Sequence, residues 1–246
     1  MEMSDIFSAE YSEVKKGLTI RAYDSERDVK KLENLVHSDF GDLSAGYAII
    51  VNENDTEKLT YVLVSPELLE EYGVTKNELH EDAMWADINR GVLLYTISDI
   101  LTSLESDDKK MPNYFIDPIP EEAFHASEDS SVLFCLTNEN YMCGAGLIFN
   151  RYIMDQIAKQ FGCNFYVLPS SVHECLLIPE KSLLDKDCIG EKLEEIVTAI
   201  NSELLDADTV LSDKVQYYDA ASGKLINARQ HEGEQNDSTG ILQGVS

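Results

Sequence analysis

The sequence predicts an α+β fold in which mixed or antiparallel sheets, built from hairpins, are flanked by helices. Three observations carry this expectation. Tyr47–Val51 and Leu59–Val64 are β-rich runs separated by the polar turn 52–58, which is the pattern of an antiparallel hairpin. Two helices with explicit start signals follow in tandem. Beyond residue 131 the apolar runs alternate as strand, strand, helix, strand, strand, helix.

In chain order, Leu18–Ala22 reads as a strand, and Arg27–Val36 as a helix with Val29, Leu32, Leu35 and Val36 at helical spacing. After the hairpin, Ser65 is placed to cap a helix whose first residue is Pro66 and whose first turn is acidic through Glu67 and Glu70; Gly73 should stop it. Thr75 and Glu78 have the spacing of a capping box, opening a helix toward Asn89 with Leu79, Ala83, Met84 and Ala86 inward. Between Gly91 and Leu104 the stripe Leu93, Leu94, Ile97, Ile100, Leu101 and Leu104 predicts a further helix. Val132–Thr137 and Ala145–Phe149 read as strands, and Asn150–Phe161 as a helix ended by Gly162. Phe165–Leu168 and Cys175–Ile178 are short apolar runs bounded by prolines and are predicted strands. A last long helix spans Ile189–Leu205, and two short strands follow, Val215–Tyr218 and Lys224–Ile226.

The expected organisation is an N-terminal α+β region at 1–104, an acidic connection at 105–130, a C-terminal α+β region at 131–227 and a disordered tail at 228–246. At 246 residues and 43% apolar, the chain can bury a sizeable core. Its 46 acids against 19 Lys and Arg give a formal charge of −27, a field that repels phosphates and anionic lipid; direct nucleic-acid binding and membrane association are not expected. The acids concentrate in residues 59–150, with 17 acids and 4 bases, whereas 151–180 has 3 and 2. Five cysteines without a Cys-x-x-Cys pair read as free thiols of a reducing cytoplasm, and the scattered histidines lack metal-ligand spacing. No cofactor is expected. The N-terminus lacks a signal-peptide pattern and no apolar run approaches membrane-spanning length, so a cytoplasmic protein is expected.

The chemistry-bearing cluster lies between the two proline-bounded strands: Ser170, Ser171, His173 and Glu174. A serine, a histidine and a carboxylate can form a nucleophile, a base and an orienting acid. If the strand geometry continues through the cluster, His173 and Glu174 point to opposite faces while Ser171 and His173 share one, so a distant acid such as Asp213 would have to complete the set. No Gly-x-Ser-x-Gly elbow surrounds either serine. The competing reading is structural, with the serines bonding the turn backbone after Pro169 and His173 or Glu174 pinning the hairpin to a neighbour. Elsewhere, Asn138, Gly144 and Gly146 read as turn formers, His80-Glu-Asp82 as a solvated helix face, and Trp85 and Tyr95 as core or interface anchors.

Several blocks, taken in order, resemble a known family. They are Phe40-Gly-Asp-Leu43, Tyr61-Val-Leu-Val-Ser-Pro-Glu-Leu-Leu-Glu-Glu-Tyr-Gly-Val-Thr75, Leu136-Thr-Asn138, Gly144-Ala145, Phe165-Tyr-Val-Leu-Pro-Ser-Ser-Val-His-Glu174, Val210-Leu-Ser-Asp213 and Tyr217-Tyr-Asp219. The chain is similar to the bacterial domain-of-unknown-function family numbered 5688, found largely in clostridia and other gut Firmicutes. The resemblance implies no activity. Against the family pattern the N-terminal segment is short, and Trp85–Ser131 is divergent and acidic.

Two functions from different classes follow. The first is a non-enzymatic interaction protein whose acidic 59–150 surface engages a basic partner, including the case of a nucleic-acid mimic that blocks a basic enzyme. The alternative is a hydrolase-like enzyme or small-ligand binder using Ser171 and His173. The incomplete catalytic grammar favours the first and leaves an enzyme open.

Overall fold

A computed structural model of the chain describes residues 6–52, 60–105, 111–124, 132–183, 189–204, 206 and 208–233. Most of the polar turn 52–58, much of the acidic connection, Cys188 and the tail beyond 233 lie outside the described residues. The fold is α+β with two antiparallel sheets. The chain divides into two compact units that are discontinuous in sequence. The first comprises Met1–Leu93, Leu136–Asn150 and Val172–Glu174; the second comprises Leu94–Cys135, Arg151–Ser171 and Cys175–Ser246.

The first unit holds a four-stranded sheet of β1 (Leu18–Asp24), β2 (His37–Phe40), β3 (Leu43–Asn52) and β4 (Thr60–Leu63). Long β3 organises it: β1 pairs along residues 43–49, β2 along 43–46 and β4 along 48–52. The β3–β4 pairing is the hairpin expected from the sequence. The expected Arg27–Val36 helix is not present; only Val29–Leu32 is helical, because Val36 donates its N–H to the Val64 carbonyl and the chain turns directly into β2. Local apolar spacing was overridden there by strand pairing.

Both predicted helix starts form. The Ser65 hydroxyl accepts from the Leu68 N–H at the head of the Pro66–Tyr72 helix, which ends on Gly73 in the left-handed region. Thr75 and Glu78 make a reciprocal capping box at the head of Lys76–Arg90, whose buried face of Leu79, Ala83 and Ala86 lies against β1. Asp87 is buried on that same face.

Ala145–Phe149 is not a strand. Gly144–Phe149 is a 3-10 helix packed on β1, entered through Cys143 in the left-handed conformation. Gly146 makes this approach possible, since a Cβ there would lie 2.0 Å from the Ile20 carbonyl oxygen. Every residue of the run is buried, which gives an apolar signature that does not distinguish strand from helix.

The second sheet has six strands in the order β10-β9-β7-β8-β6-β5. Its strands are β5 (Val92–Thr96), β6 (Phe134–Asn138), β7 (Phe165–Leu168), β8 (Cys175–Pro179), β9 (Gln216–Asp219) and β10 (Lys224–Asn227). The alternation of β7 sorts its side chains into two layers. Tyr166 and Leu168 join Leu193 and Val197 of the Ile189–Leu204 helix, while Phe165 meets Phe161 of the Arg151–Phe161 helix at 5.4 Å between ring centroids. Cross-strand pairs continue the sorting, Tyr166 with Tyr217 and Phe165 with Tyr218.

The expected Gly91–Leu104 helix is a strand followed by a helix. The switch occurs at Thr96, whose hydroxyl accepts from the Asp99 N–H while the Asp99 carboxylate accepts from the Thr96 N–H, a second capping box. The start of the expected tail is also structured. Residues 228–233 are helical, Ala228 is buried and donates to the Val215 carbonyl, Glu232 accepts from the Gly190 N–H at 2.7 Å, and His231 stacks on Tyr217. The local sequence is polar, but these contacts come from distant elements that composition does not reveal.

Candidate functional site

Strands β7 and β8 stop at Leu168 and resume at Cys175, so the intervening cluster is not extended strand. Ser171 makes a single antiparallel bridge with Val210, and residues 172–173 form a bend. The alternation argument that set Ser171 and His173 on one face, and His173 and Glu174 on opposite faces, therefore does not apply. The four residues also belong to different units: Ser170 and Ser171 to the second, His173 and Glu174 to the first.

Within the second unit, both serines lie in a buried segment bonded through its backbone. Ser170 and Ser171 are only 5% and 2% exposed. The Ser170 carbonyl accepts from the Leu211 N–H and the Pro169 carbonyl from the Ser212 N–H, stitching the segment to residues 210–212. Asp213, the acid considered as a completing partner, accepts from Asn201 Nδ2 at 2.6 Å and lines a surface concavity of about 430 Å³ with Glu194, Lys214 and Arg229.

Within the first unit, the half-buried His173 is held by its backbone and its ring. Thr137 Oγ1 donates to the His173 carbonyl at 2.9 Å, and the Cys143 N–H donates to Nδ1 at 3.4 Å. The second contact places the hydrogen of a neutral ring on Nε2. Burial lowers the His173 pKa against the opposing charge of Glu174 and with the help of Arg21, so the ring favours the neutral form. Cys143 has φ 56°, a left-handed conformation costing a non-glycine residue about 1 kcal/mol. Burial raises the thiol pKa while Arg21 opposes it, so Cys143 is a poor thiolate.

Arg21 is the residue that sequence reading missed. It stands on β1 opposite Gly46, its guanidinium 5.6 Å from the Tyr23 ring centroid and 5.1 Å from that of Tyr61, whose hydroxyl accepts from Nη1. A side chain at Gly46 would collide with the Tyr23 ring, 2.6 Å from a built Cβ, and displace the platform. The available signal was a lone cation inside an otherwise buried strand. Farther along β1, Asp87 accepts from Thr19 Oγ1 and the Ile20 N–H and pairs with Arg90 at 2.7 Å. Burial pushes Asp87 up to about 6 against the opposing effect of Arg90, leaving it ionised at neutral pH.

The sequence profile described as "Family of unknown function (DUF5688)" matches residues 1–220. The chain belongs to this family. No curated protein and no solved structure matches it. In this DUF5688 chain, the matched span includes Arg21, Tyr61, Cys143 and His173 as well as both serines.

The remaining candidates fall as follows. Asn138 closes its own turn, donating to the Met142 carbonyl and accepting from the Met142 N–H. His80 is not on a solvated face: it is half-buried, with Nδ1 at 2.9 Å from the Tyr47 hydroxyl and its ring stacked on Phe40. Asp82 accepts from Tyr11 and Lys15. Tyr95 is buried, whereas Trp85 is 60% exposed and is no core residue. Among the described residues of this DUF5688 protein, no group of three His, Cys, Asp or Glu side chains is arranged to hold a metal, and no helix is long and apolar enough to cross a membrane.

Proposed function

We propose that this protein is a non-enzymatic binding protein whose acidic 59–150 segment engages a basic protein partner. The observation that carries the reading is the outer surface of two consecutive helices. Residues 59–89 contain seven acids and one base, Lys76. Asp82 and Asp87 are engaged by Tyr11, Lys15 and Arg90; Glu67, Glu70, Glu71, Glu81 and the capping-box Glu78 are exposed. Trp85, the only tryptophan of the chain, is exposed one turn beyond Glu81 and two turns beyond Glu78.

Concentrated negative charge supplies steering toward a cationic surface, and an exposed indole supplies an apolar anchor of the kind that dominates interface energies. The burial of Ser170 and Ser171 supports binding over serine-based hydrolysis.

The test is the fluorescence anisotropy of a labelled amphipathic Lys/Leu peptide titrated with the full chain at roughly 50 and 500 mM salt. The expected result is saturable binding that weakens about tenfold or more at the higher salt and in a Glu78→Lys, Glu81→Lys variant. Binding indifferent to salt and to both substitutions overturns the reading. Competition by duplex DNA for a basic DNA-binding protein then separates a phosphate mimic, which displaces the DNA, from an acidic binder of another basic surface.

A further inference from the structure

We propose that the first unit carries a binding site for a small oxyanion, a carboxylate or phosphate group, seated on Arg21 with the Tyr61 hydroxyl as a neighbouring donor. This does not rest on the acidic-surface reading and is tested separately.

The argument begins with charge. The chain has 46 acids for 19 Lys and Arg, and among the described residues five of these cations make ion pairs: Arg90 with Asp87, Lys15 with Asp82, Lys31 with Asp28, Arg151 with Asp155 and Arg229 with Glu194. Arg21 has not. Among the described residues no carboxylate lies within ion-pair distance of its half-buried guanidinium, although burial makes a cation demand compensation. The groups close enough to sense its charge are Tyr23, Tyr61, Cys143 and His173.

These neighbours are donors more than acceptors. Tyr61 accepts from Arg21 Nη1, which leaves the phenolic hydrogen to donate elsewhere. Arg21 retains further N–H groups in its planar fork, the geometry that matches carboxylate and phosphate oxygens. A guanidinium bonded to a hydroxyl that keeps its own hydrogen, with no carboxylate among the described residues within ion-pair distance, is complementary to a ligand that only accepts. The Tyr23 and Tyr61 rings pack against the guanidinium, at 5.6 and 5.1 Å from their centroids, which restrains it and reduces the entropy lost on binding. The net charge of −27 repels anions at long range, so selection here rests on contact geometry rather than steering.

The experiment is isothermal titration calorimetry of the full chain with two separate probes, inorganic phosphate and acetate, in a buffer containing neither. The expected result is one saturable site that is at least about tenfold weaker in Arg21→Gln, about threefold weaker in Tyr61→Phe, and unchanged in Arg151→Gln, a surface variant of the second unit. Tighter phosphate assigns a phosphate-bearing ligand; acetate of equal or greater affinity assigns a carboxylate. Should Arg21→Gln fail to fold, Tyr61→Phe decides, because it preserves the ring platform. No saturable binding of either probe by the wild-type chain, binding that survives Arg21→Gln, or an unaltered affinity in Tyr61→Phe overturns the site.

Discussion

Asp87 and Arg90, three residues apart on one helix, form an ion pair at 2.7 Å with side chains only 4% and 7% exposed. The pair ties the helix to β1, since Asp87 also accepts from Thr19 and Ile20 and Arg90 donates to the Leu18 carbonyl. Removing one partner leaves a buried charge uncompensated. Asp87→Ala is expected to cost about 3 to 5 kcal/mol, and adding Arg90→Met to that variant should recover part of the loss. Urea denaturation of the two single variants and the double variant checks this; additive losses would contradict it.

The close contact between Gly146 and β1 makes a second prediction. Gly146→Ala places a methyl group against the Ile20 carbonyl, a backbone atom that cannot rotate away. A loss of about 3 kcal/mol or more is expected in the same denaturation assay. Gly233→Ala, where no atom of the described residues lies within 4 Å of the new methyl group, should remain near wild type.

His173 gives the pH dependence. Its folded pKa is lowered below the usual 6.5 by burial, so the unfolded chain binds the proton first as pH falls. The stability associated with the neutral ring is complete above about pH 6.5 and is lost as pH drops through that value toward the folded pKa. The stability difference between wild type and His173→Gln should therefore shift toward the variant between about pH 7.5 and 5.5. Parallel curves over that range would show that the ring is not held neutral. Asp87, raised to about 6, titrates in the opposite sense and is common to both proteins, so it cancels in the difference.

The parts of the fold that were legible in sequence are those set by neighbouring residues. Ser65 before Pro66, and Thr75 with Glu78, specify helix starts through bonds spanning three residues, and both form as expected. The β3–β4 hairpin and strands β7 and β8 were legible for the same reason. Thr96 and Asp99 carried an equally local signal, but the apolar stripe across 93–104 hid it by matching a helix on both sides of the cap. Residues 144–149 and 228–233 were not legible because partners distant in sequence, Ile20 and Val215, determine their structure. The Ser170–Glu174 cluster looked chemical because its residues are adjacent, yet the chain passes there from one unit to the other. His173 instead shares its unit with Arg21, a residue more than a hundred positions away.

Trp85 gives the most direct measurement of the central claim, that the acidic helical surface is a binding face. Its emission reports on that surface alone, because no other tryptophan exists in the chain. On saturation with the amphipathic Lys/Leu peptide, Trp85 emission should shift to the blue and acrylamide quenching should fall, and both changes should disappear in Glu78→Lys, Glu81→Lys. An unchanged spectrum and unchanged quenching with the peptide fully bound would contradict the claim.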